Sequence, residues 1–389
     1  MKMAVRLEGT EVVPDDVQLP VERRRVLVVS ASMGAGHHGV ADEIVRRLRQ
    51  RGHHAERIDV LDLGEPGQGD RLRRTYAFLL RRLPWVYDLA MRFWARWPRP
   101  LERLTAHGAA AFERGLLGEI ERIGPDVVVS VYNLSSQALG RMRSGGLLHT
   151  PVVTYVTDPG AHPYWVHPAV DLHLATLPRT AQALEGWGAR RTAVVRPLVA
   201  EGFADGVVAR EQTRRRLGVP AEGRMVLVSA GSWAVGEVER TVDLLARTGS
   251  ILPVTLCGRN DALRDRLSRR GIGVPLGWTD DMASLMAAAD VFVDNAGGLT
   301  CWEALVSGLP VVVFRPLPGH GRFNAAALER AGCTAYARTD GELISLIDQL
   351  SRCADDGRRE VPTAPVMSGG DVVTEVLDVC TDSPGRRVG

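Results

Sequence analysis

Two adjacent histidines stand where a side chain could accept a proton. His37 and His38 follow the turn Gly34 to Gly36, which comes directly after the apolar run 26–30. A helix beginning at such a turn lowers the pKa of a nearby imidazole and keeps it neutral near pH 7. A neutral histidine facing a cleft can take the proton of an attacking hydroxyl. His37 is therefore a candidate general base; alternatively, His38 has this role, or His37 only stabilises the turn.

A carboxylate follows another apolar run. Asp158 directly follows the run 152–157, and His162, Trp165 and His167 come next. Ligands of open α/β sheets bind at the carboxyl edge of the strands, so Asp158 is a second candidate base unless it only caps the following turn. The spacing of Asp158, His162 and His167 could also suit a metal ion, but no other ligand is evident, and no metal site is predicted.

A second glycine turn suggests an anion site. Gly297 and Gly298 follow the apolar run 291–294 and precede a segment with helical character. Glycines at such a position let free N–H groups and the positive end of a helix point at an anion. Glu303, about one turn further on, could accept both hydroxyls of a ribose or could simply favour the helix N-terminus. Two such turns predict two nucleotide-type domains that face one cleft.

The elements that must position these residues alternate along the chain. Short apolar runs predict buried strands at 26–30, 57–61, 126–131, 152–157 and 192–196, and again at 225–230, 252–257, 291–293 and 310–314. Longer amphipathic segments, such as 40–51, separate them, which predicts an α/β fold with parallel sheets and crossover helices. The segment 196–206 has no periodicity and is the predicted linker. The predicted domains are an extension at 1–22, a first domain at 23–198, a second at 199–365, and a closing helix and tail at 366–389.

Composition narrows the class of protein. A chain of 389 residues with 45% hydrophobic content is long and apolar enough for two domains. The net charge of +2 gives no global field that would attract nucleic acid. The five cysteines are scattered without metal-site spacing, which favours reduced thiols and an intracellular protein. The sequence contains no apolar run of about 20 residues and no recognisable signal peptide, so neither a membrane span nor export is expected.

One arginine-rich segment interrupts the alternation. From Leu72 to Trp97, apolar residues recur at helical spacing among many arginines, and Pro84 should divide the segment into two helices. A basic helix pair with aromatic residues suits the boundary of an anionic bilayer. The residues predicted to contact the membrane are Arg81, Arg82, Trp94 and Trp97. The alternative is a helix pair that packs on the sheet and leaves its arginines in water.

These motifs, in this order, resemble the family of monogalactosyldiacylglycerol synthases and processive diacylglycerol glycosyltransferases. That family is related to the enzyme that adds N-acetylglucosamine to lipid I in peptidoglycan synthesis. The resemblance runs from about residue 26 to about residue 332 and rests on the segments 34–44, 156–165, 257–260, 277–282 and 297–324. It implies a glycosyltransferase-B fold with two Rossmann-like domains, an acceptor mostly on the first, a UDP-sugar mostly on the second, and inversion at the anomeric carbon without metal or cofactor.

The resemblance also implies roles for individual residues. The donor diphosphate would meet Gly231, Ser232, Gly297, Gly298, Leu299 and Thr300. Arg259 would stabilise the leaving phosphate, Trp278 and Thr279 would hold the uracil, and Glu303 would hold the ribose. The acceptor hydroxyl would lie between His37 and Asp158, either of which could be the base. The other positions on the acceptor side are Gly34, Gly36, His38, His162 and Trp165.

The loop expected to face the donor sugar departs from the family. His320 and Gly321 stand where relatives usually have glutamine and glutamate, followed by Asn324. Because a carboxylate is absent, selection at one sugar hydroxyl should differ, which predicts an unusual sugar or acceptor. The sequence thus predicts an inverting transferase that moves a hexosyl unit from a UDP-sugar to a lipid or lipid-linked hydroxyl, peripherally at the cytoplasmic membrane face. Alternatives are the tailoring of a specialised metabolite, a hydrolysing UDP-sugar epimerase, and a catalytically silent UDP-sugar sensor or membrane scaffold.

Overall fold

A computed structural model describes residues 22–96, 108–203, 210–220, 223–229, 231–355 and 368–381. Nearly all of the predicted N-terminal extension, part of the predicted linker, and Trp97 lie outside these residues.

The first sheet has six parallel strands in the order β2-β1-β3-β4-β5-β6. They are β1 (Arg25–Ser30), β2 (His54–Asp59), β3 (Val127–Ser130), β4 (Val152–Tyr155), β5 (Leu172–Ala175) and β6 (Thr192–Val194). The central strands β3, β4 and β5 are buried along their whole length, which is why they have short continuous apolar runs. The edge strand β2 begins three residues before the predicted run at 57–61, because an edge strand need not be apolar on both faces.

The helices of the first domain cover this sheet. They are α1 (Ala35–Gln50), α2 (Gln68–Arg82), α3 (Pro84–Arg96), α4 (Glu113–Ile123), α5 (Asn133–Ser144) and α6 (Pro178–Gly186). In α1 the buried residues Val40, Ile44 and Leu48 recur at helical spacing and pack on the sheet residues Val26 and Val28. This packing fixes the start of α1 at the carboxyl edge of the sheet.

The second sheet is also parallel and six-stranded, in the order β12-β11-β10-β7-β8-β9. Its strands are β7 (Arg224–Ser229), β8 (Ile251–Leu256), β9 (Val274–Leu276), β10 (Val291–Asp294), β11 (Val311–Phe314) and β12 (Ala335–Ala337). Further helices within the described ranges are α7 (Arg210–Arg216), α8 (Val238–Ala246), α9 (Asp261–Arg270), α10 (Met282–Ala288), α11 (Leu299–Val306), α12 (His320–Arg330), α13 (Asp340–Asp355) and α14 (Val372–Thr381). The predicted α/β class with two Rossmann-like sheets is confirmed.

The two sheets differ in the number of strands beyond their first strand, β1 in the first sheet and β7 in the second. In the second sheet, β8 and β9 lie beyond β7, whereas in the first sheet only β2 lies beyond β1. After β2 the chain enters α2 and α3, which are separated by Leu83 alone. Pro84 is the first residue of α3, where its missing N–H costs no helical hydrogen bond, so the predicted division at this proline is confirmed. We call α2 and α3 together the helical hairpin.

The closing helix α14 returns to the first domain. Val372, Val373 and Val376 are buried in the same apolar cluster as Val26 and Val28 of β1. The segment before α14 is anchored by two backbone hydrogen bonds, from Gly370 to the Val194 carbonyl and from Arg196 to the Gly370 carbonyl. The predicted helix at 372–379 is confirmed, and its docking site is the first sheet. No helix among the described residues combines the length and apolar character needed to cross a bilayer.

Candidate active site

A cavity of about 790 Å³ lies between the carboxyl edges of the two sheets. Its walls include the segments that follow β1, β3 and β4 in the first domain and β7, β8, β9, β10 and β11 in the second. The predicted site residues that line it are Gly34, Gly36, His37, His38, Asp158, His162, Gly231, Ser232, Arg259, Trp278, Thr279, Gly298, Leu299, Thr300, Glu303, His320 and Asn324. Gly297 and Trp165 do not line it.

His37 lies in the first turn of α1 and is held by the backbone after β3. Its Nδ1 atom is 2.9 Å from the carbonyl oxygen of Val131, and its ring meets Tyr132 edge-on with centroids 5.0 Å apart. A carbonyl oxygen only accepts, so Nδ1 carries the proton, and in the neutral ring Nε2 is left as an acceptor. Burial lowers the pKa of His37 below its usual 6.5, and the negative Asp158 opposes this effect. The ring can therefore take a proton at Nε2 near neutral pH.

His38 has the opposite arrangement. Its Nδ1 atom is 2.7 Å from an Arg57 guanidinium nitrogen and 2.8 Å from the Ser30 hydroxyl. Because a guanidinium only donates, Nδ1 accepts, and the protonated Nε2 faces the Asp59 carboxylate at 3.4 Å. Both ring nitrogens of His38 are thus engaged by its own domain. This arrangement disfavours His38 as the base and favours His37.

Asp158 follows β4 and accepts hydrogen bonds on both carboxylate oxygens. One comes from the indole of Trp165 at 3.0 Å, and the other comes from the amide of Asn324 in the second domain at 3.2 Å. Burial alone would raise the pKa of Asp158, but three nearby histidines and the Asn324 amide hold it below its usual value. The group is therefore an anion whose two oxygens each accept one hydrogen bond, and its lowered pKa suits stabilising a positive charge better than taking a proton.

Two aromatic residues have positions that correct the sequence prediction. Trp165 is fully buried and positions Asp158, so it does not face an acceptor. Trp94 packs on Tyr164 and His162, with ring centroids 4.7 and 5.5 Å apart, and so it faces the first domain instead of a membrane. The apolar spacing correctly predicted that α3 is a helix. It could not show that Trp94 packs on a loop that is distant in sequence.

His162 itself lines the cavity as a neutral group. Its Nε2 atom is 3.5 Å from the Asn133 amide nitrogen, and burial lowers its pKa to about 4. Its Nδ1 atom is buried without a hydrogen-bond partner in the part of the chain that the structure describes.

The turn between β10 and α11 is organised by a buried acid. Asp294 accepts the backbone N–H groups of Ala296 at 3.2 Å and Gly297 at 2.5 Å. Burial raises the pKa of Asp294 to about 6, and the same backbone hydrogen bonds oppose the rise. The N–H of Gly297 is therefore used within the turn, which corrects its predicted role as a phosphate ligand. The N–H groups of Gly298, Leu299 and Thr300 have no acceptor within the described ranges and face the cavity side of the turn.

The first turns of α1 and α11 meet across the cavity. A Cβ at Gly39 would lie 2.5 Å from the side chain of Leu299, and one at Gly36 would lie 3.5 Å from it. A side chain at Gly39 would displace the end of Leu299, and Gly36 lies in van der Waals range of the same residue while it lines the cavity. The hydroxyl of Ser232, after β7, accepts the N–H of Ala35 at 3.3 Å. Positive helix ends from both domains thus converge on one point, as an anionic group would require.

The second domain supplies the other end of the cavity. The Arg259 guanidinium stacks over the Trp278 ring, 4.9 Å from its centroid, and Trp278 is 51% exposed. The Thr279 hydroxyl accepts the N–H of Asp281 just before α10. Burial raises the pKa of Glu303 to about 7, and its carboxylate has no hydrogen-bond or ion-pair partner among the described residues. Glu303 is thus a desolvated acceptor that still lacks donors.

Asn324 connects the two domains at the border of the cavity. Its side-chain oxygen accepts the N–H of Gly160 at 3.0 Å, and its amide nitrogen donates to Asp158 and to the Ala296 carbonyl at 3.1 Å. Both amide N–H groups of Asn324 are thus used within the protein, and 1% of its surface is exposed. Its role as a donor-binding residue stays a prediction.

The helical hairpin also reaches the cavity, which the sequence did not predict. The hydroxyls of Tyr87 and Tyr76 lie 3.2 and 3.4 Å from the Nδ1 atom of His320, and both tyrosines line the cavity with Trp233. Asp88 of α3 accepts the N–H of Gly319 at 2.9 Å and a guanidinium N–H of Arg322 at 2.6 Å. The helical spacing of Tyr76 indicated a buried face but not what covered it.

The opposite side of the hairpin faces solvent. Large apolar side chains there are unusually exposed, at 55%, 66%, 61% and 42% for Phe78, Trp85, Leu89 and Phe93. Arg81 and Arg82 are exposed at the end of the same α2. We call these six residues the exposed apolar face. The side chains Trp85, Leu89 and Phe93 follow one another at four-residue intervals, so they form one stripe along α3.

Comparison with known proteins extends these findings. Residues 37–195 match the model of the monogalactosyldiacylglycerol (MGDG) synthase family, and residues 238–368 match the glycosyltransferase family 28 C-terminal domain. The chain is 26% identical to a probable monogalactosyldiacylglycerol synthase of Glycine max, over 83% of this chain and 64% of that protein. It is 25% identical to monogalactosyldiacylglycerol synthase 1 of Arabidopsis thaliana, over 88% of this chain and 69% of that protein.

Solved structures share the fold at low sequence identity. MurG of Acinetobacter baumannii has a TM-score of 0.55 and 16% identity, covering 91% of this chain and 99% of that one. The calicheamicin glycosyltransferase CalG4 has a TM-score of 0.60 and 16% identity, covering 93% of this chain and all of that one. The predicted glycosyltransferase-B architecture is confirmed by these neighbours.

Proposed function

We propose that the chain is a glycosyltransferase of the monogalactosyldiacylglycerol synthase and family 28 type, which its two family matches support, and that it moves a hexosyl unit from a UDP-sugar to a lipid hydroxyl with inversion. The observation that carries this proposal is His37. Its free Nε2 atom borders a cavity into which the first turns of α1 and α11 converge from opposite domains. A base and an anion-binding turn on facing walls are the parts that an inverting displacement needs.

In the proposed reaction His37 is the base. Nε2 takes the proton of the acceptor hydroxyl while the hydroxyl oxygen attacks the anomeric carbon, and the bond from that carbon to the phosphate oxygen breaks. His37 then becomes positive, and the buried Asp158 anion stabilises that charge, as its effect on the pKa of His37 indicates. We assign Asp158 the supporting role, because Trp165 and Asn324 hold its carboxylate, whereas the Nε2 atom of His37 has no partner among the described residues.

The departing UDP would be held by the second domain. Its diphosphate gains negative charge as the bond breaks, and the N–H groups of Gly298, Leu299 and Thr300 are preorganised donors for it. Arg259 stacks on Trp278 at the same end of the cavity and would pair with a phosphate or with the base. Glu303 would accept the ribose hydroxyls, because its carboxylate still lacks donors. No further cofactor is required by this scheme.

The exposed apolar face supports a lipid acceptor. Aromatic and aliphatic side chains flanked by arginines are suited to the boundary of an anionic bilayer, where rings lie among headgroups and guanidinium groups meet phosphates. We therefore propose peripheral binding at the cytoplasmic face of a membrane, with diacylglycerol or another lipid hydroxyl entering the cavity from the hairpin side. Of the residues predicted to contact the membrane, Arg81 and Arg82 belong to this face. We propose that Trp85, Leu89 and Phe93 contact the membrane in place of the inward-facing Trp94.

The test is a transfer assay with purified protein. Anionic vesicles with and without diacylglycerol are incubated with UDP-glucose, UDP-galactose or UDP-N-acetylglucosamine, and products are identified by mass spectrometry. We expect a glycosylated lipid of inverted anomeric configuration, which NMR of the product would assign, and no product from the His37→Gln variant. Release of UDP with a soluble acceptor only would contradict the lipid proposal and favour tailoring of a specialised metabolite.

A further inference from the structure

Four rings form one wall of the cavity. Tyr76 and Tyr87 of the helical hairpin meet at a centroid distance of 5.6 Å, Tyr76 meets Trp233 at 5.9 Å, and Tyr87 meets His320 at 6.0 Å. All four line the cavity. We call them the aromatic wall. It joins two domains, because the tyrosines belong to the first and the other two residues belong to the second.

The aromatic wall lies between the anion-binding turn and the base. Trp233 is adjacent to Ser232, whose hydroxyl contacts the first turn of α1 beside His37. His320 is close enough to Asp158 and to His37 for their charges to affect one another. A sugar whose phosphate lies at the start of α11 and whose anomeric carbon faces His37 must therefore pass along this wall.

The backbone near His320 leaves little room for side chains from its own loop. A Cβ at Gly321 would lie 2.8 Å from the Cβ of Leu317 and 3.0 Å from the Asn295 carbonyl oxygen. A Cβ at Gly319 would lie 2.6 Å from the Tyr87 ring. The loop therefore presents His320 alone to the cavity, and the hairpin supplies the neighbouring hydroxyls. The Nδ1 atom of His320 faces these hydroxyls, so its Nε2 atom is the one that remains for a ligand.

We propose that Tyr76 and Tyr87 are specificity-determining residues that bind the sugar of the donor, and that the preferred sugar is a neutral hexose. This inference rests on the proposed use of a UDP-sugar. The two hydroxyls and His320 contact sugar hydroxyls, while the ring of Trp233 packs on a C–H face of the sugar. A uronic acid is disfavoured, because its carboxylate would approach Asp158. Among the described cavity residues the cationic side chain is Arg259, at the nucleotide end beside Trp278.

The test compares Kd values for UDP-sugars with the Kd for UDP by calorimetry, without any acceptor. The variants are Tyr76→Phe and Tyr87→Phe, which keep the rings and remove the hydroxyls. The matched control is Tyr336→Phe on β12, which does not line the cavity. We expect each hydroxyl deletion to weaken the preferred UDP-hexose by about fivefold, with the Kd of UDP changed less than twofold. We also expect UDP-glucuronate to bind the wild type at least about tenfold more weakly than that UDP-hexose.

The outcomes are distinguishable from failure of the proposed function. Selective loss of UDP-hexose affinity supports the inference even when no lipid product forms in the transfer assay. Equal weakening of UDP and UDP-hexose would show that the tyrosines act only on the position of the hairpin, and this would overturn the inference. A ratio of the two Kd values that is the same in wild type and both variants, or tight binding of UDP-glucuronate, would overturn it as well.

Discussion

Glu303 should make donor binding depend on pH near neutrality. Burial raises the pKa of its carboxyl from 4.5 to about 7, and its oxygens lack donors in the described protein. Two ribose hydroxyls would donate to the carboxylate form, so protonation removes the productive acceptor. With a pKa of about 7, the affinity for UDP should be about tenfold lower at pH 6 than at pH 8, because the ionised fraction falls by that factor.

The perturbation is Glu303→Gln, measured by calorimetric titration of UDP from pH 6 to pH 8. The variant keeps an acceptor oxygen but does not titrate at this position, whereas titration of the UDP phosphate affects both proteins alike. The ratio of the variant Kd to the wild-type Kd should therefore rise about tenfold from pH 6 to pH 8. The loss of charge-assisted hydrogen bonds of about 1.5 to 3 kcal/mol predicts binding roughly 10- to 150-fold weaker at pH 8. Glu121→Gln is the matched control, because Glu121 is exposed on α4 and does not line the cavity.

Stability gives a second, ligand-free measurement of the same group. The pKa of Glu303 is higher in the folded protein than the unfolded value of 4.5, so its carboxylate form destabilises the fold. The free energy of unfolding of the wild type should therefore fall by about 1.4 kcal/mol per pH unit, relative to Glu303→Gln, between pH 4.5 and pH 7. A ratio of variant to wild-type Kd for UDP that is constant from pH 6 to pH 8 would refute this reasoning.

Three further predictions concern the base, the membrane and the hairpin. His37→Gln should lower the single-turnover rate by about 10²-fold or more and leave the Kd of UDP unchanged. Asp158→Asn should lower the same rate by about tenfold. Unchanged rates in both variants would contradict the roles proposed for these residues. Replacing Trp85 and Leu89 together by serine should weaken sedimentation with anionic vesicles at least about tenfold, because each large side chain contributes about 1.5 to 3 kcal/mol on burial, while UDP binding stays intact; equal vesicle binding would contradict the membrane proposal. Asp88→Asn should destabilise hairpin docking by about 1 to 3 kcal/mol, seen as faster proteolysis within α2 and α3; wild-type resistance would mean that its contacts to Gly319 and Arg322 carry little energy.

The framework of this protein was predictable because its signals are local. Buried parallel strands need short apolar runs, so β1, β3, β4, β7, β8, β10 and β11 could be located within a few residues. Both glycine turns follow such strands, and α1 and α11 begin at them. The strands β5, β9 and β12 were missed, because a histidine interrupts the apolar run of β5, a proline interrupts β9, and two of the three residues of β12 are only partly buried.

Residue roles that depend on contacts between distant segments were not predictable. The spacing of α3 placed Trp94 on an apolar stripe, but only the loop at His162 and Tyr164 decides that this stripe faces inward. In the same way Trp165 looked like an acceptor contact and is instead a buried donor to Asp158. A tryptophan has the same spacing in the sequence whether its indole is buried in the protein or faces a membrane or substrate, so sequence alone does not separate these environments.

The sequence by itself determined two parallel sheets, the two glycine turns at helix starts, and a histidine and an acid at the carboxyl edge, because backbone geometry and strand burial require particular residues at particular positions. Only the tertiary structure decided which atoms remain available. Hydrogen bonds with Val131 and Arg57 place the ring proton on opposite nitrogens of His37 and His38. Asn324 forms hydrogen bonds that connect the two domains. Hydrogen-bond partners are fixed by the packing of segments far apart in the chain, and a side chain acts on a ligand only with the groups that this packing leaves free.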